Sequence, residues 1–136
     1  RGEKPNNKTQ IYLADTIGEM GLWYSLCQVV FLGKSIIGKG GQNPIEPSLF
    51  GCSVVCGKNT ENFTEVVDQL LSVNGIIKVY SIEDIQSNIF MLLNDLNQSR
   101  EIGTRAKNLA VDKSRVIDIF LEKIKSEIES CQISFK

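Results

Sequence analysis

Short unbroken apolar runs alternate along this chain with segments whose apolar residues recur at helical spacing. The runs are Ile11-Tyr12-Leu13-Ala14, Gln28 to Leu32, Ser53 to Cys56 and Ile76 to Tyr80. Short apolar stretches of this kind predict strands covered on both faces. Between the first two runs, Thr16 reads as a helix cap with Glu19 closing the capping box, and the helix extends to about Leu26 through Trp23, the single tryptophan, which reads as a core anchor. A short helix is expected from Pro44 to Phe50, and another after Asn62 with Phe63, Val66, Val67, Leu70 and Leu71 on one face. After the fourth strand, Ser81 caps a helix carrying Glu83 and Asp84 in its first turn, with Ile85, Ile89, Phe90, Leu93 and Leu96 at helical spacing. Two more helical stretches follow, about 100–109 and 113–128, the second with Val116, Ile117, Phe120, Leu121, Ile124 and Ile128 in one stripe.

Strands alternating with helices argue for an α/β layer built on a parallel sheet. At 136 residues the chain is the size of one domain, and no linker or repeat divides it. Its 15 basic and 16 acidic residues leave a formal net charge of -1, which gives no push toward nucleic acid. No run is long enough to span a membrane. Histidine is absent, which excludes imidazole chemistry within the chain. The cysteines are Cys27, Cys52, Cys56 and Cys131, and no spacing among them makes a zinc site. They read as reduced, mostly buried small hydrophobes of a cytosolic chain, so the Asn-x-Ser/Thr patterns at Asn7, Asn62 and Asn97 carry no weight. No metal or cofactor is expected.

Polar features gather after the carboxyl ends of the strands: Asp15 to Glu19, Gly38 to Glu46, and Lys58 to Asn62. Open parallel sheets place ligands in the crevice at that edge. Gly38, Gly40 and Gly41 let the backbone turn sharply, Asn43 reads as an N-cap, Pro44 as the first helical residue and Glu46 as its capping-box partner. A helix start of this kind offers N–H donors to a phosphate, and it equally fits an ordinary capped turn. Gly33-Lys34-Ser35-Ile36-Ile37-Gly38-Lys39 has Walker A spacing, but Gly40 stands where magnesium needs Ser or Thr, and the helix starts later. Asp15, Glu19 and Glu46 are conceivable acids or bases, each with a structural role as well.

Three blocks together carry a family resemblance. Asp15-Thr16-Ile17-Gly18-Glu19, Phe31-Leu32-Gly33-Lys34-Ser35 and Gly40-Gly41-Gln42-Asn43-Pro44-Ile45-Glu46-Pro47, with Gly57 through Asn62-Phe63, resemble the carboxyl-terminal domain of 3-deoxy-D-manno-octulosonic acid (Kdo) transferases over nearly the whole chain. The resemblance implies a Rossmann-like parallel sheet with flanking helices, an incomplete carboxyl-terminal domain of a two-domain GT-B glycosyltransferase. Such an enzyme transfers Kdo from CMP-Kdo to a lipid A precursor at the cytoplasmic face of the inner membrane, in lipopolysaccharide biosynthesis. Its amino-terminal half supplies the catalytic carboxylate and most of the acceptor surface. Residues 1–136 are then a single partial domain, soluble and inactive alone, with no catalytic residue of its own.

By the same resemblance, Gly40, Gly41, Gln42, Asn43 and Glu46 form the donor-binding signature, with glycine and helix-start N–H groups on phosphate and Glu46 on the ribose hydroxyls. Thr16, Gly18 and Glu19 match a second donor-side block, and Asn62 a polar position beside the same cleft. The family usually has histidine where this chain has Gln42, which donates a hydrogen bond but carries no imidazolium charge. A GT-B transferase with a UDP-sugar donor, or a non-catalytic module binding a phosphate ligand or partner, keeps the same fold. The resemblance also makes the four strands the third through sixth of six, leaving the inner edge of Gln28 to Leu32 open. Either Ile11 to Ala14 is then expected to pair there, or a second copy of the chain covers that edge.

Overall fold

The computed structural model describes residues 4–132. Strands β1 (Val29–Leu32), β2 (Ser53–Cys56) and β3 (Ile76–Lys78) pair in parallel in that order, with Val30 opposite Val54 and Val54 opposite Ile76. All four β2 residues are buried, as a central strand covered on both faces requires. Alternate side chains divide between two layers. Val54 and Cys56 pack with Leu32, Val67, Leu70 and Ile76, while Val55 packs with Val79, Leu92 and Ile102.

Helix α1 (Met20–Leu26) precedes β1, and α2 (Ile45–Leu49) lies between β1 and β2. Helix α3 (Thr64–Ser72), entered through a single 3-10 turn at Glu61–Phe63, covers one face of the sheet with Val67 and Leu70. Helix α4 (Ile82–Asn94) covers the other with Leu92, Ile85 and Ile89. Burial of a leucine such as Leu70 or Leu92 stabilises the fold by about 1.5–3 kcal/mol. Ser81 starts α4 as expected: its hydroxyl accepts from the Asp84 N–H at 3.0 Å, and the Asp84 carboxylate accepts from the Ser81 N–H at 3.1 Å.

Helix α5 (Leu96–Gln132) runs without a break where the sequence suggested two stretches. Ala110, Val111 and Asp112 contain no glycine or proline, so nothing stops the helix there. Its small residues lie against the amino ends of the strands. A Cβ on Gly103 would run into the Gly51 carbonyl, and one on Gly75 would stand 3.0 Å from the Ala106 backbone. The Ser53 hydroxyl donates to the Ser99 carbonyl, both buried. This helix therefore closes the sheet at the end opposite the strands' carboxyl termini. Of the expected late stripe, Val116, Ile117 and Phe120 lie outside the residues whose side chains are described, and Leu121, Ile124 and Ile128 are exposed.

Three expectations are corrected. Ile11 to Ala14 form no strand: Ile11 is 90% and Leu13 81% exposed, and Tyr12 instead packs on Trp23 at 5.4 Å between ring centroids. The Tyr12 ring ties this run to Trp23 of α1, and the run adds no strand to the outer edge of β1. Trp23 is only partly buried, because α1 buries none of its residues fully. Phe90, Leu93 and Leu96 are exposed, since the face of α4 on the sheet is set by Ile85, Ile89 and Leu92. The cysteines agree with the reading of free, mostly buried thiols: Cys52 and Cys56 are buried, Cys27 is exposed, and the side chain of Cys131 lies outside those described.

Candidate functional site

The carboxyl end of β1 opens into a cleft of about 310 Å³. It is lined by Val30, Phe31, Leu32 and Gly33 of the strand and its exit, by Met20 and Tyr24 of α1, and by Gln42, Asn43 and Glu46. The last of these groups is set by local chain chemistry. Pro44 occupies the cap position without a side-chain bond of its own, and Asn43 does the capping from one residue earlier. The Asn43 side-chain oxygen accepts from the Ile45 N–H at 3.0 Å, and its amide lies 3.5 Å from Glu46 Oε1. Ser48 and Pro47 are buried beneath, with the Ser48 hydroxyl donating to the Pro44 carbonyl at 2.7 Å. The exposed carboxylate of Glu46 is thereby held at the rim over a rigid turn.

Gly40 and Gly41 belong to the same loop but turn away from the cleft lining. They adopt φ of +93° and +72°, and a Cβ on Gly41 would stand 2.8 Å from the Asn59 carbonyl. The loop after β2 staples this segment in place. The Asn59 amide donates to the carbonyls of Ile36 at 3.0 Å and Gly38 at 2.7 Å. The Asn62 N–H donates to the Gly40 carbonyl at 3.2 Å, and the Gly40 N–H donates to the Glu61 carboxylate at 2.8 Å. Asn62 lies within the 3-10 turn and does not cap α3. Ser35, fully buried, ties the two strand ends together: its hydroxyl donates to the Leu32 carbonyl and accepts from the Gly57 N–H at 2.7 Å. The stretch with Walker A spacing makes bends and turns only, and the helix begins at Ile45, so it is no P-loop.

Of the residues singled out in the sequence, Gln42, Asn43 and Glu46 line the cleft together. Gly40, Gly41 and Asn62 form an adjoining cluster. Thr16, Gly18 and Glu19 lie on the exposed approach to α1, where the Thr16 hydroxyl donates to the Glu19 carboxylate instead of capping the helix. Tyr24 carried no recognisable signal; Phe31, Ser35, Asn59 and Glu61 stood inside the segments singled out, without a role of their own. Polar residues just past two strand ends were the available hint for the last three.

Burial raises the pKa of Tyr24, and the negative charges of Glu46 and Cys52 add to it, so its phenol stays protonated beside the cleft. The Gly40 N–H holds the Glu61 carboxyl below the usual range, with Lys39 and Lys78 contributing. Burial lifts the Cys56 thiol to about 11, which makes it a poor nucleophile. Among the described residues, no group of cysteine, aspartate and glutamate is arranged to hold a metal ion. No helix among them is long and apolar enough to cross a membrane.

A parallel sheet with helices on both faces and a polar crevice at the carboxyl ends of its strands defines a Rossmann-like α/β domain. Comparison with solved structures agrees. The crystal structure of the C-terminal CMP-Kdo binding domain of WaaA from Acinetobacter baumannii matches with a TM-score of 0.69 and 31% identity, over 74% of this chain and 52% of that one. A 3-deoxy-D-manno-octulosonic acid transferase of Haemophilus influenzae is 32% identical over 128 residues, 93% of this chain and 30% of the relative. One of Rickettsia prowazekii is 26% identical over 129 residues, 92% of this chain and 28% of the relative. No family model matches. The chain is similar to these Kdo transferases over nearly its whole length, and it spans about three tenths of theirs.

Proposed function

We propose that this chain is the nucleotide-sugar-binding part of a glycosyltransferase that moves Kdo from CMP-Kdo to a lipid A precursor in lipopolysaccharide biosynthesis. The observation that carries this reading is the pairing of Asn43 with Glu46 at the start of α2, on the rim of a cleft at the strands' carboxyl edge. Glu46 accepts hydrogen bonds from the ribose hydroxyls, and Gln42 donates to the Kdo carboxylate or sugar. The protonated phenol of Tyr24 offers a further donor from α1. The catalytic carboxylate, the acceptor surface and the attachment to the cytoplasmic face of the inner membrane belong to a separate amino-terminal domain of a GT-B enzyme. This domain alone is soluble, inactive and prone to pair through the free edge of β1.

The test is an assay of the full-length protein with CMP-Kdo and a lipid A precursor. The expected result is release of CMP matched by a gain of one or more Kdo units in the acceptor's mass. Turnover with a UDP-sugar and none with CMP-Kdo would move the donor to the other nucleotide class.

A further inference from the structure

We propose that Glu61 is a positioning residue for the donor cleft, a carboxylate latch that fixes the glycine loop by holding the Gly40 N–H. Gly38, Gly40 and Gly41 all take positive φ, so at these three positions the loop has no side-chain sterics of its own to define its path. What defines it is external. Gly40 is buried and gripped on both sides, its N–H by the Glu61 carboxylate at 2.8 Å and its carbonyl by the Asn62 N–H at 3.2 Å. Two and three residues further along the chain, Gln42 and Asn43 enter the cleft. A shift at Gly40 therefore moves this polar lining directly. A charged acceptor makes the stronger bond to a backbone N–H, and Lys39 and Lys78 lie close enough to favour its ionised form.

The bond also changes what the loop offers a ligand. The Gly40 N–H is taken by the protein's own carboxylate, so donor recognition falls to Gln42, Asn43 and Glu46 and not to this glycine. Glu61 is not among the residues that line the cleft, and it acts only through the loop. The geometry of the latch is independent of ligand identity; its effect on catalysis rests on the donor reading above.

The test compares Glu61→Ala and Glu61→Gln in the full-length protein by hydrogen–deuterium exchange of the peptide covering 38–43, with CMP affinity and CMP-Kdo kinetics alongside. Glu61→Ala should speed exchange in that peptide roughly tenfold, because a charge-assisted bond is lost. It should weaken CMP binding and raise KM for CMP-Kdo several-fold, with kcat changed less. Glu61→Gln keeps an acceptor oxygen without the charge and should restore both in part. Exchange at 38–43 that stays at the wild-type rate in Glu61→Ala overturns the proposal, and so does faster exchange spread evenly over the whole domain. If the wild-type protein binds no CMP, the donor reading fails, and the exchange comparison still decides the latch.

Discussion

The Asn43 side chain serves two neighbours at once: its oxygen accepts from the Ile45 N–H at 3.0 Å, while its amide lies 3.5 Å from the Glu46 carboxylate. Structure and recognition are thus joined in adjacent positions of one turn. Asn43 holds the helix start, and Glu46 is left with an exposed carboxylate beside the cleft. The two roles separate by mutation.

Glu46→Gln keeps the size of the side chain and removes its charge. Donor affinity, or kcat/KM with CMP-Kdo, should fall roughly ten- to hundredfold, the range for a lost hydrogen bond to a charged group. Thermal denaturation should show a Tm within a few degrees of wild type. Unchanged kinetics with a lowered Tm would make Glu46 a purely structural residue.

Asn43→Ala should behave differently. Loss of a capping side chain costs about 0.5–2 kcal/mol, read as a lower urea midpoint at constant slope. Asn43→Asp retains the capping oxygen and should recover the midpoint. It should still weaken donor use, because it sets a second carboxylate beside Glu46. Equal stability losses in the two variants would show that the side-chain oxygen is not what holds the turn.

Gly41→Ala places a Cβ at φ +72° and 2.8 Å from the Asn59 carbonyl. The left-handed conformation alone costs about 1–3 kcal/mol for a residue with a side chain. Chemical denaturation should register at least that loss. A neutral Gly41→Ala would mean that the staple between Asn59 and the glycine loop is far looser than drawn.

Alkaline pH should destabilise the fold through its buried acids. The Cys56 thiol is raised from 9.0 to about 11 by burial, with Lys78 pulling the other way, and burial raises Cys52 and Tyr24 as well. Above the unfolded value the unfolded chain releases protons that the folded chain keeps. Stability from Cys56 is therefore full below pH 9.0 and is lost as pH rises through about 11. The loss is on the order of 2–3 kcal/mol at most. Urea unfolding at stepped pH should show this fall, and Cys56→Ala should flatten it. An identical slope in that variant would assign the effect elsewhere.

The sheet was legible because its strands are apolar on both faces: Ser53 to Cys56 emerged with the bounds read from the sequence. The helix from Ser81 was legible because the capping box is a local signal. Ile11 to Ala14 misled because an apolar run does not say what it packs on: Tyr12 meets Trp23 of α1, and the run adds no strand to β1. The division of the last helix into two misled because spacing changes without any residue that breaks a helix. In the cleft, Gln42, Asn43 and Glu46 were readable as one motif. Glu61 and Asn59 fell in a segment the sequence singled out, but their partners were not readable, because the bonds cross 21 residues of chain to Gly40 and Gly38 and leave no periodic trace.

Nucleotide titration of the full-length protein bears most directly on the donor reading. Isothermal calorimetry with CMP, UMP, UDP and magnesium-ATP, repeated on Glu46→Gln, compares the base and phosphate classes at one site. CMP should bind more tightly than UMP or UDP, and Glu46→Gln should lose most of that binding with its fold intact. Tight binding of UDP or magnesium-ATP with none of CMP would contradict the account.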